Sequence, residues 1–259
     1  MRKVAILYIC TGDYSRFWDD FYKTSLKFFL PNTHKHYFVW SDNEQLKYNS
    51  DHVTFIYKEC LGFPSDSLFR FDTFLTVENF LLDYDYVYFI NSNAVITDYV
   101  GEEVIPDDTG LVVAEWPIKH KWLSSPCFYN YERNKSSLAY IPPFASPYKY
   151  FMGGFNGGKA VDYLKLIHIL SKNIHIDYDN GILACSYDES HLNKYCHDNV
   201  CKVLPYGFAS PEEWGRNHDT RIVFRHKGIL DSNKNRAQGL KGRIIRTLYL
   251  IKKAISWYF

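Results

Sequence analysis

The segment Asp85-Tyr-Val-Tyr-Phe-Ile-Asn-Ser-Asn93 decides the fold, because a strongly apolar run stops abruptly at three polar residues. Tyr86–Ile90 has the length and the β-forming composition of a strand that is buried on both faces. Three further runs of the same kind precede it, at residues 3–10, 37–40 and 53–57. Repeated buried strands in the first part of the chain predict a parallel sheet.

Two segments between these strands have helical periodicity. Apolar residues recur at helix-like spacing over residues 17–29, and residues 67–82 have the pattern of one long amphipathic helix. Strands that alternate with helices predict a Rossmann-like α/β half. Ligands of open parallel sheets bind beyond the carboxyl ends of the strands, which selects residues 10–13, 40–43 and 91–93.

The second half of the chain is less regular. Leu111–Glu115 has a strand pattern, residues 116–147 form a long loop rich in proline and aromatic residues, and residues 148–158 form a glycine-rich strand. Long loops in compact domains are usually functional, and strand glycines let a ligand approach closely. A helix is predicted over residues 160–172.

Asp188 and Glu189 are adjacent acids at the start of a helix predicted over residues 188–195, with Ser186 as its N-cap. Acids in the first turn commonly complement the helix dipole and have no chemical role. Taken alone, the pair favours this structural interpretation over a catalytic one.

Length and composition bound the function. A chain of 259 residues forms one large domain or two small ones, and a net charge of +1 gives no field that would attract nucleic acid. The apolar run 4–10 is too short for a signal sequence or a membrane span, so we expect a cytoplasmic protein. None of the six cysteines lies in a CxxC, and the group Cys196, His197 and Cys201 lacks a second ligand pair at zinc-finger spacing.

The last part of the chain, residues 231–259, is basic. From residue 240 onward, cations and apolar residues interleave at helical spacing. Such a helix lies on an anionic membrane surface, in this case the inner face, or docks on the domain with a solvated basic face. The sequence leaves both interpretations open.

Four blocks, in order along the chain, carry a resemblance: residues 131–133 (Tyr-Glu-Arg), 139–142 (Ala-Tyr-Ile-Pro), 150–158 and 179–195. They resemble glycosyltransferase family 6, the family of the histo-blood-group A and B transferases and the α1,3-galactosyltransferases. The resemblance covers most of the chain, from the first strand to Lys227. It implies an α/β, GT-A-folded catalytic domain over residues 1–230, with a nucleotide-binding half (1–95) and an acceptor-binding half (96–230).

The resemblance also assigns roles to residues. Glu189 falls on the catalytic carboxylate of a retaining transferase, and Asp188 on the acid that contacts the donor sugar. Met152 and Gly154 fall on the positions that select the donor, UDP-GalNAc or UDP-Gal. Gly154 leaves space for an N-acetyl group, which favours UDP-GalNAc, whereas Met152 is the residue found in the galactose-specific members and favours UDP-Gal. The other donor-binding candidates are Arg70, Gly153, Ile9, Thr11 and Tyr14, with Asp42 as a weaker candidate for the uridine.

The chain departs from the family at Asn91-Ser-Asn93. Animal members carry Asp-x-Asp there and bind Mn²⁺, whereas an amide brings no negative charge to hold a divalent cation. We therefore expect no metal cofactor. The amides of Asn91 and Asn93 can still hydrogen-bond the donor, and both remain donor-binding candidates. Charge on the departing UDP needs neutralising, and family members place basic residues over the diphosphate in the region of Arg225-His-Lys227. By this resemblance we assign the role to Lys227 with Arg225 or Arg221.

The resemblance places Trp116 and Asn130 near the acceptor and implies a fucosylated galactoside (Fucα1,2-Gal), although Trp116 stands where animal members have histidine. A glycoside hydrolase would need two carboxylates on opposite sides of the bond, whereas Asp188 and Glu189 are adjacent. The other alternative is a catalytically inactive protein that binds carbohydrate or UDP-sugar, which the loss of Asp-x-Asp would suit.

Overall fold

The computed structural model describes residues 1–47, 50–116 and 125–227, together with 247–248, 251–252, 254–255 and 257–258. Its strands are β1 (Lys3–Ile9), β2 (His34–Ser41), β3 (Val53–Tyr57), β4 (Tyr86–Ile90), β5 (Ala94–Ile96), β6 (Leu111–Glu115), β7 (Phe151–Lys159), β8 (Lys202–Leu204), β9 (Ser210–Pro211) and β10 (Ile222–Phe224). Its α-helices are α1 (Trp18–Phe28), α2 (Ser65–Leu68), α3 (Arg70–Leu75), α4 (Glu78–Leu81), α5 (Ala160–Asp179) and α6 (Asp188–Asp198).

A seven-stranded sheet organises the molecule, in the order β3-β2-β1-β4-β7-β6-β8. The four strands predicted from the first part of the chain are parallel, with β1 between β2 and β4. β7 runs antiparallel to both β4 and β6. The sheet therefore combines strands from both sides of residue 95, in one α/β domain.

The two faces of this sheet are both buried, as the continuous apolar runs predict. Along β1, Val4, Ile6 and Tyr8 pack in one cluster, which also contains Trp18 and Phe21 of α1. The alternate β1 side chains pack in a second cluster with residues of α3 and α5. Successive strand residues point to opposite faces, so each run supplies both clusters.

Three local predictions were wrong. Residues 67–82 form three short helices instead of one, because Phe69 and Val77 adopt conformations outside the helical region (φ −99°, ψ 25° and φ −120°, ψ 15°). Helix α5 continues beyond residue 172 to Asp179, since Ile174 and Asp177 extend its buried face. Ser186 is not the cap of α6; Tyr187 takes that position with φ 52° and no capping side-chain bond.

A three-stranded sheet, in the order β5-β10-β9, carries the chain to residue 227. Residues 231–246 of the predicted tail lie outside the described residues, but those described between 247 and 258 are helical. Trp257 is buried in a third apolar cluster with Cys127, Tyr131, Ile141 and Tyr150. In the described part of the chain, no helix is both long and apolar enough to cross a membrane.

Candidate active site

Glu189 lies in the first turn of α6, facing the start of β7, and both of its carboxylate oxygens are held. The Tyr150 hydroxyl donates to Oε1 over 2.6 Å, and the Gly153 backbone N–H donates to Oε2 over 2.8 Å. The side chain is half-buried. These two donors fix the direction in which the carboxylate can act.

Loss of solvation raises the pKa of Glu189 to about 7, and the nearby charge of Asp188 adds to this rise. The bonds from Tyr150 and Gly153 oppose it, because both stabilise the carboxylate. The pKa of Asp188 is also raised by burial, with Arg70 opposing the shift. Perturbed acids of this kind cluster at functional sites.

Arg70, the first residue of α3, holds Asp188. Its Nε lies 3.1 Å from Asp188 Oδ2, and both side chains are largely buried. The guanidinium also lies 4.7 Å above the centre of the Phe89 ring, and Nη1 donates to the Gly153 carbonyl over 3.3 Å. The structure therefore joins three predicted site residues, Arg70, Gly153 and Asp188, and separates the roles of the two adjacent acids.

Two residues without an assigned role in the sequence interpretation support Glu189. Tyr150 is one, and Asn193 is the other: its amide donates to the Phe151 carbonyl over 2.9 Å and accepts from the Phe151 N–H over 2.8 Å. Asn193 thereby ties α6 to β7. Its position four residues after Glu189, on the same helical face, is a signal that could have revealed it; Tyr150 has no comparable signal.

Gly153 and Gly154 lie directly against Glu189 and Met152, respectively. A Cβ at Gly153 would stand 3.1 Å from Cβ of Glu189. A Cβ at Gly154 would stand 3.1 Å from both Cε of Met152 and the ring of Phe224, and 3.4 Å from Cβ of Asn91. A side chain at either position would therefore require these neighbours to shift by a few tenths of an ångström.

The amides of Asn91 and Asn93 take different positions. Asn91 is half-buried beside Gly154, whose carbonyl accepts its backbone N–H over 2.8 Å. Asn93 is 4% exposed, and its Nδ2 donates to the Arg225 carbonyl over 2.6 Å. An amide pair of which one member is buried in a structural bond does not fit the oxygen-rich, anionic ligand set of Mn²⁺ or Mg²⁺.

The three predicted cations differ in position. Lys227 Nζ lies 5.4 Å from the centre of the Tyr14 ring. Burial raises the pKa of Asp188, and the charge of Lys227 opposes this rise. Arg225 instead pairs with Asp20 over 2.7 Å, and Arg221 with Asp98 over 3.3 Å. The charge of Lys227 therefore acts on Asp188, the acid that Arg70 holds.

The carboxyl end of β1 is built by hydrogen bonds to neighbouring loops. Asp42 accepts from the Gly12 N–H over 2.7 Å, and Asp66 accepts from the Thr11 hydroxyl over 3.2 Å. Ile9 is half-buried at the end of the strand. Asp66 also accepts from Gly62 N and Lys58, so this acid, absent from the sequence interpretation, organises the turn.

Aromatic rings border the other side of Glu189. Trp116 is 37% exposed, and its ring centre lies 5.8 Å from that of Tyr150 in an edge-on arrangement. Asn130 is exposed, and its carbonyl accepts from Cys185 Sγ over 3.1 Å. An exposed indole in contact with Tyr150, which itself binds Glu189, is suited to stacking on the apolar face of a sugar.

Comparisons with known proteins agree with this geometry. The model of the family described as Glycosyltransferase family 6 matches residues 3–235. An O-antigen biosynthesis glycosyltransferase, WbnI of Escherichia coli, is 32% identical over 227 residues, which is 86% of this chain and 94% of that protein.

Two animal proteins are also similar. Histo-blood group ABO system transferase 1 of Rattus norvegicus is 33% identical over 132 residues, 49% of this chain and 35% of that protein. Globoside alpha-1,3-N-acetylgalactosaminyltransferase 1 of Gallus gallus is 25% identical over 207 residues, 74% of this chain and 57% of that protein. The family match and the extent of the bacterial similarity establish that the chain belongs to glycosyltransferase family 6.

Proposed function

We propose that this glycosyltransferase transfers GalNAc, or less readily Gal, from UDP to O3 of a galactoside. It does so with retention of the anomeric configuration and without a metal ion. The preferred acceptor is a Fucα1,2-Gal unit. The single observation that carries the proposal is the Glu189 carboxylate, held by the Tyr150 hydroxyl and the Gly153 N–H beside the donor-selecting strand.

The catalytic role of Glu189 follows from its charge and its fixed direction. In a retaining transfer by double displacement, a carboxylate on the face of the sugar opposite the departing UDP acts as the nucleophile, and in a front-face transfer a carboxylate there stabilises the positive charge of the sugar. The ionised Glu189 supplies that carboxylate, either as a nucleophile or by stabilising oxocarbenium-like charge. Its pKa of about 7 leaves a large ionised fraction near neutral pH.

The donor preference rests on Gly154. A residue without a side chain there keeps the surface between Met152 and Asn91 low, which suits the N-acetyl group of GalNAc. The names of the relatives support a transferase of this type, since the chicken protein is an α1,3-N-acetylgalactosaminyltransferase. Arg70 and Asp188 then bind hydroxyls of the donor sugar.

The metal-free step rests on Lys227. UDP leaves with growing negative charge on its diphosphate, which a cation near the donor must stabilise. Lys227 lies beside Tyr14, and its charge opposes the rise in the pKa of Asp188. The amide pair at Asn91 and Asn93 lacks the charge that a divalent cation needs.

The deciding experiment measures transfer from UDP-GalNAc and from UDP-Gal to 2′-fucosyllactose, with EDTA and with added Mn²⁺. We expect faster transfer from UDP-GalNAc and no effect of EDTA. Glu189→Gln is the matched control, and we expect it to lose activity by about 10²-fold or more. Turnover that requires Mn²⁺ contradicts the metal-free step; UDP binding without transfer by the wild type supports the inactive sugar-binding protein instead.

A further inference from the structure

The C-terminal helix, meaning the helical residues described between 247 and 258, has an apolar face that points to solvent. Leu248, Ile251 and Ile255 are 60%, 48% and 55% exposed. Positions three and four residues apart lie on one face of a helix, so these side chains are neighbours. Isolated exposed apolar residues are ordinary, but three together on one face mark a binding surface.

The opposite side of this helix is docked on the domain. Trp257 is 4% exposed, and its Nε1 donates to the Ile141 carbonyl over 3.1 Å. Its ring centre lies 6.0 Å from Tyr131 and 5.3 Å from Tyr148. At ~100° per residue, Trp257 lies about half a turn around the helix from Leu248. Docking through Trp257 therefore leaves the apolar face pointing outward.

The charge of this part of the chain indicates what covers the apolar face. After Asp231 the sequence contains no acidic residue but seven cations, namely Lys234, Arg236, Lys241, Arg243, Arg246, Lys252 and Lys253. Lys252 is exposed next to Ile251. A second copy of this chain would bring the same positive charge and be repelled, whereas an anionic lipid surface would attract it.

We propose that the C-terminal helix binds the surface of anionic lipid membranes. Leu248, Ile251 and Ile255 enter the boundary between headgroups and acyl chains, while the exposed Lys252 and the net positive charge of the sequence after Asp231 attract the lipid phosphates. Trp257 holds the catalytic domain to the bound helix. One face of the C-terminal helix then contacts the membrane while the opposite face docks on the domain, so both interpretations of the tail apply to the same helix.

The test is co-sedimentation of the full chain with phosphatidylcholine vesicles that contain about 30% phosphatidylglycerol, compared with pure phosphatidylcholine. The variant replaces the apolar face by Leu248→Ser, Ile251→Ser and Ile255→Ser. The matched control replaces three other exposed apolar side chains, Leu82→Ser, Val161→Ser and Val200→Ser, which are 59%, 69% and 78% exposed. Thermal unfolding by circular dichroism checks that both variants are folded.

We expect the wild type and the control to bind the anionic vesicles at least tenfold more tightly than the apolar-face variant. Binding should weaken at about 0.5 M salt, which screens the cations. Equal binding by both variants, or no binding by the wild type, overturns the proposal. So does a concentration-dependent dimer that the apolar-face variant alone abolishes, because a second copy then covers the face. These readouts do not depend on sugar transfer.

Discussion

The proposed catalytic role of Glu189, together with its pKa near neutrality, predicts how the reaction rate depends on pH. Because burial raises its pKa to about 7, the carboxylate becomes protonated just below neutral pH. We expect kcat/KM to fall about tenfold for each pH unit below that value. A rate profile between about pH 5 and 9 measures this, and a flat acidic limb would be incompatible with Glu189 acting as the carboxylate.

The same raised pKa means that Glu189 lowers the free energy of unfolding when it is ionised. Its folded-state value lies above the ordinary 4.5, so its stabilising contribution is complete below that pH and is lost as the pH rises towards 7. Glu189→Gln cannot ionise, and we expect it to exceed the wild type in unfolding free energy by about 1–3 kcal/mol at pH 8, and by little near pH 4.5. Urea unfolding at both pH values measures the difference.

Asp188 supplies the contrast to this stability prediction. Asp188→Asn should destabilise the protein at neutral pH, because it leaves the buried Arg70 without its anion. If Glu189→Gln were instead the less stable variant at pH 8, the burial of its carboxylate would not be the dominant effect.

Substitutions of the neighbouring residues Gly153 and Gly154 should change the kinetics with the two donors in different ways. In Gly154→Ala the new Cβ would press on the flexible end of Met152, which narrows the donor pocket. We expect kcat/KM to fall more for UDP-GalNAc than for UDP-Gal, by about tenfold. In Gly153→Ala the Cβ meets Glu189, so both donors should slow equally. Parallel kinetics with the two donors distinguish these outcomes; an unchanged donor ratio in Gly154→Ala contradicts the assignment.

Asn93 is hydrogen-bonded to Arg225, the residue that follows β10. Replacing Asn93 by aspartate, as in the Asp-x-Asp motif, should therefore disturb this contact and should not give a metal-dependent enzyme. The Asn93 amide donates to the Arg225 carbonyl, and Arg225 N donates back to the Asn93 carbonyl over 2.9 Å. A carboxylate in Asn93→Asp would face that carbonyl without a donor, at a cost of about 1–3 kcal/mol. We expect a lower melting temperature and weaker UDP binding, because Lys227 follows β10. Asn91→Asp, at the half-buried position, is the control that should keep its stability.

The elements differ in how far the sequence could predict them. β1 and β4 were predictable from their continuous apolar runs, and α6 was predictable from the acidic residues at its start. The breaks at Phe69 and Val77 were not, since the apolar periodicity continues across both residues although their backbone angles are not helical. The contact between Tyr150 and Glu189 spans 39 residues and leaves no local pattern. The roles of Glu189 and Lys227 came from resemblance, not from periodicity.

The molecule brings its two halves together through β7. This strand pairs antiparallel with β4 and β6, which sets Gly154 beside Asn91 and Gly153 beside α6. Asn91 at the end of β4 and the carboxylate of Glu189 therefore both lie beside β7, at one edge of the sheet. The aromatic cluster behind Tyr150 extends from that edge to Trp257. The C-terminal helix is in this way connected to the catalytic centre through two ring contacts.

Removing Trp257 tests that connection. The Tyr131 ring lies between Trp257, at 6.0 Å, and Tyr150, at 5.5 Å, and Tyr150 binds Glu189. In Trp257→Ala the cluster loses its largest member, which should cost about 3 kcal/mol locally and expose the basic tail to trypsin. We also expect kcat/KM for the acceptor to fall about tenfold while UDP affinity stays constant, because Tyr150 borders the acceptor side. Trp257→Phe keeps the ring and should recover most of the activity, whereas acceptor kinetics unchanged in Trp257→Ala would mean that the tail docks without influencing the site.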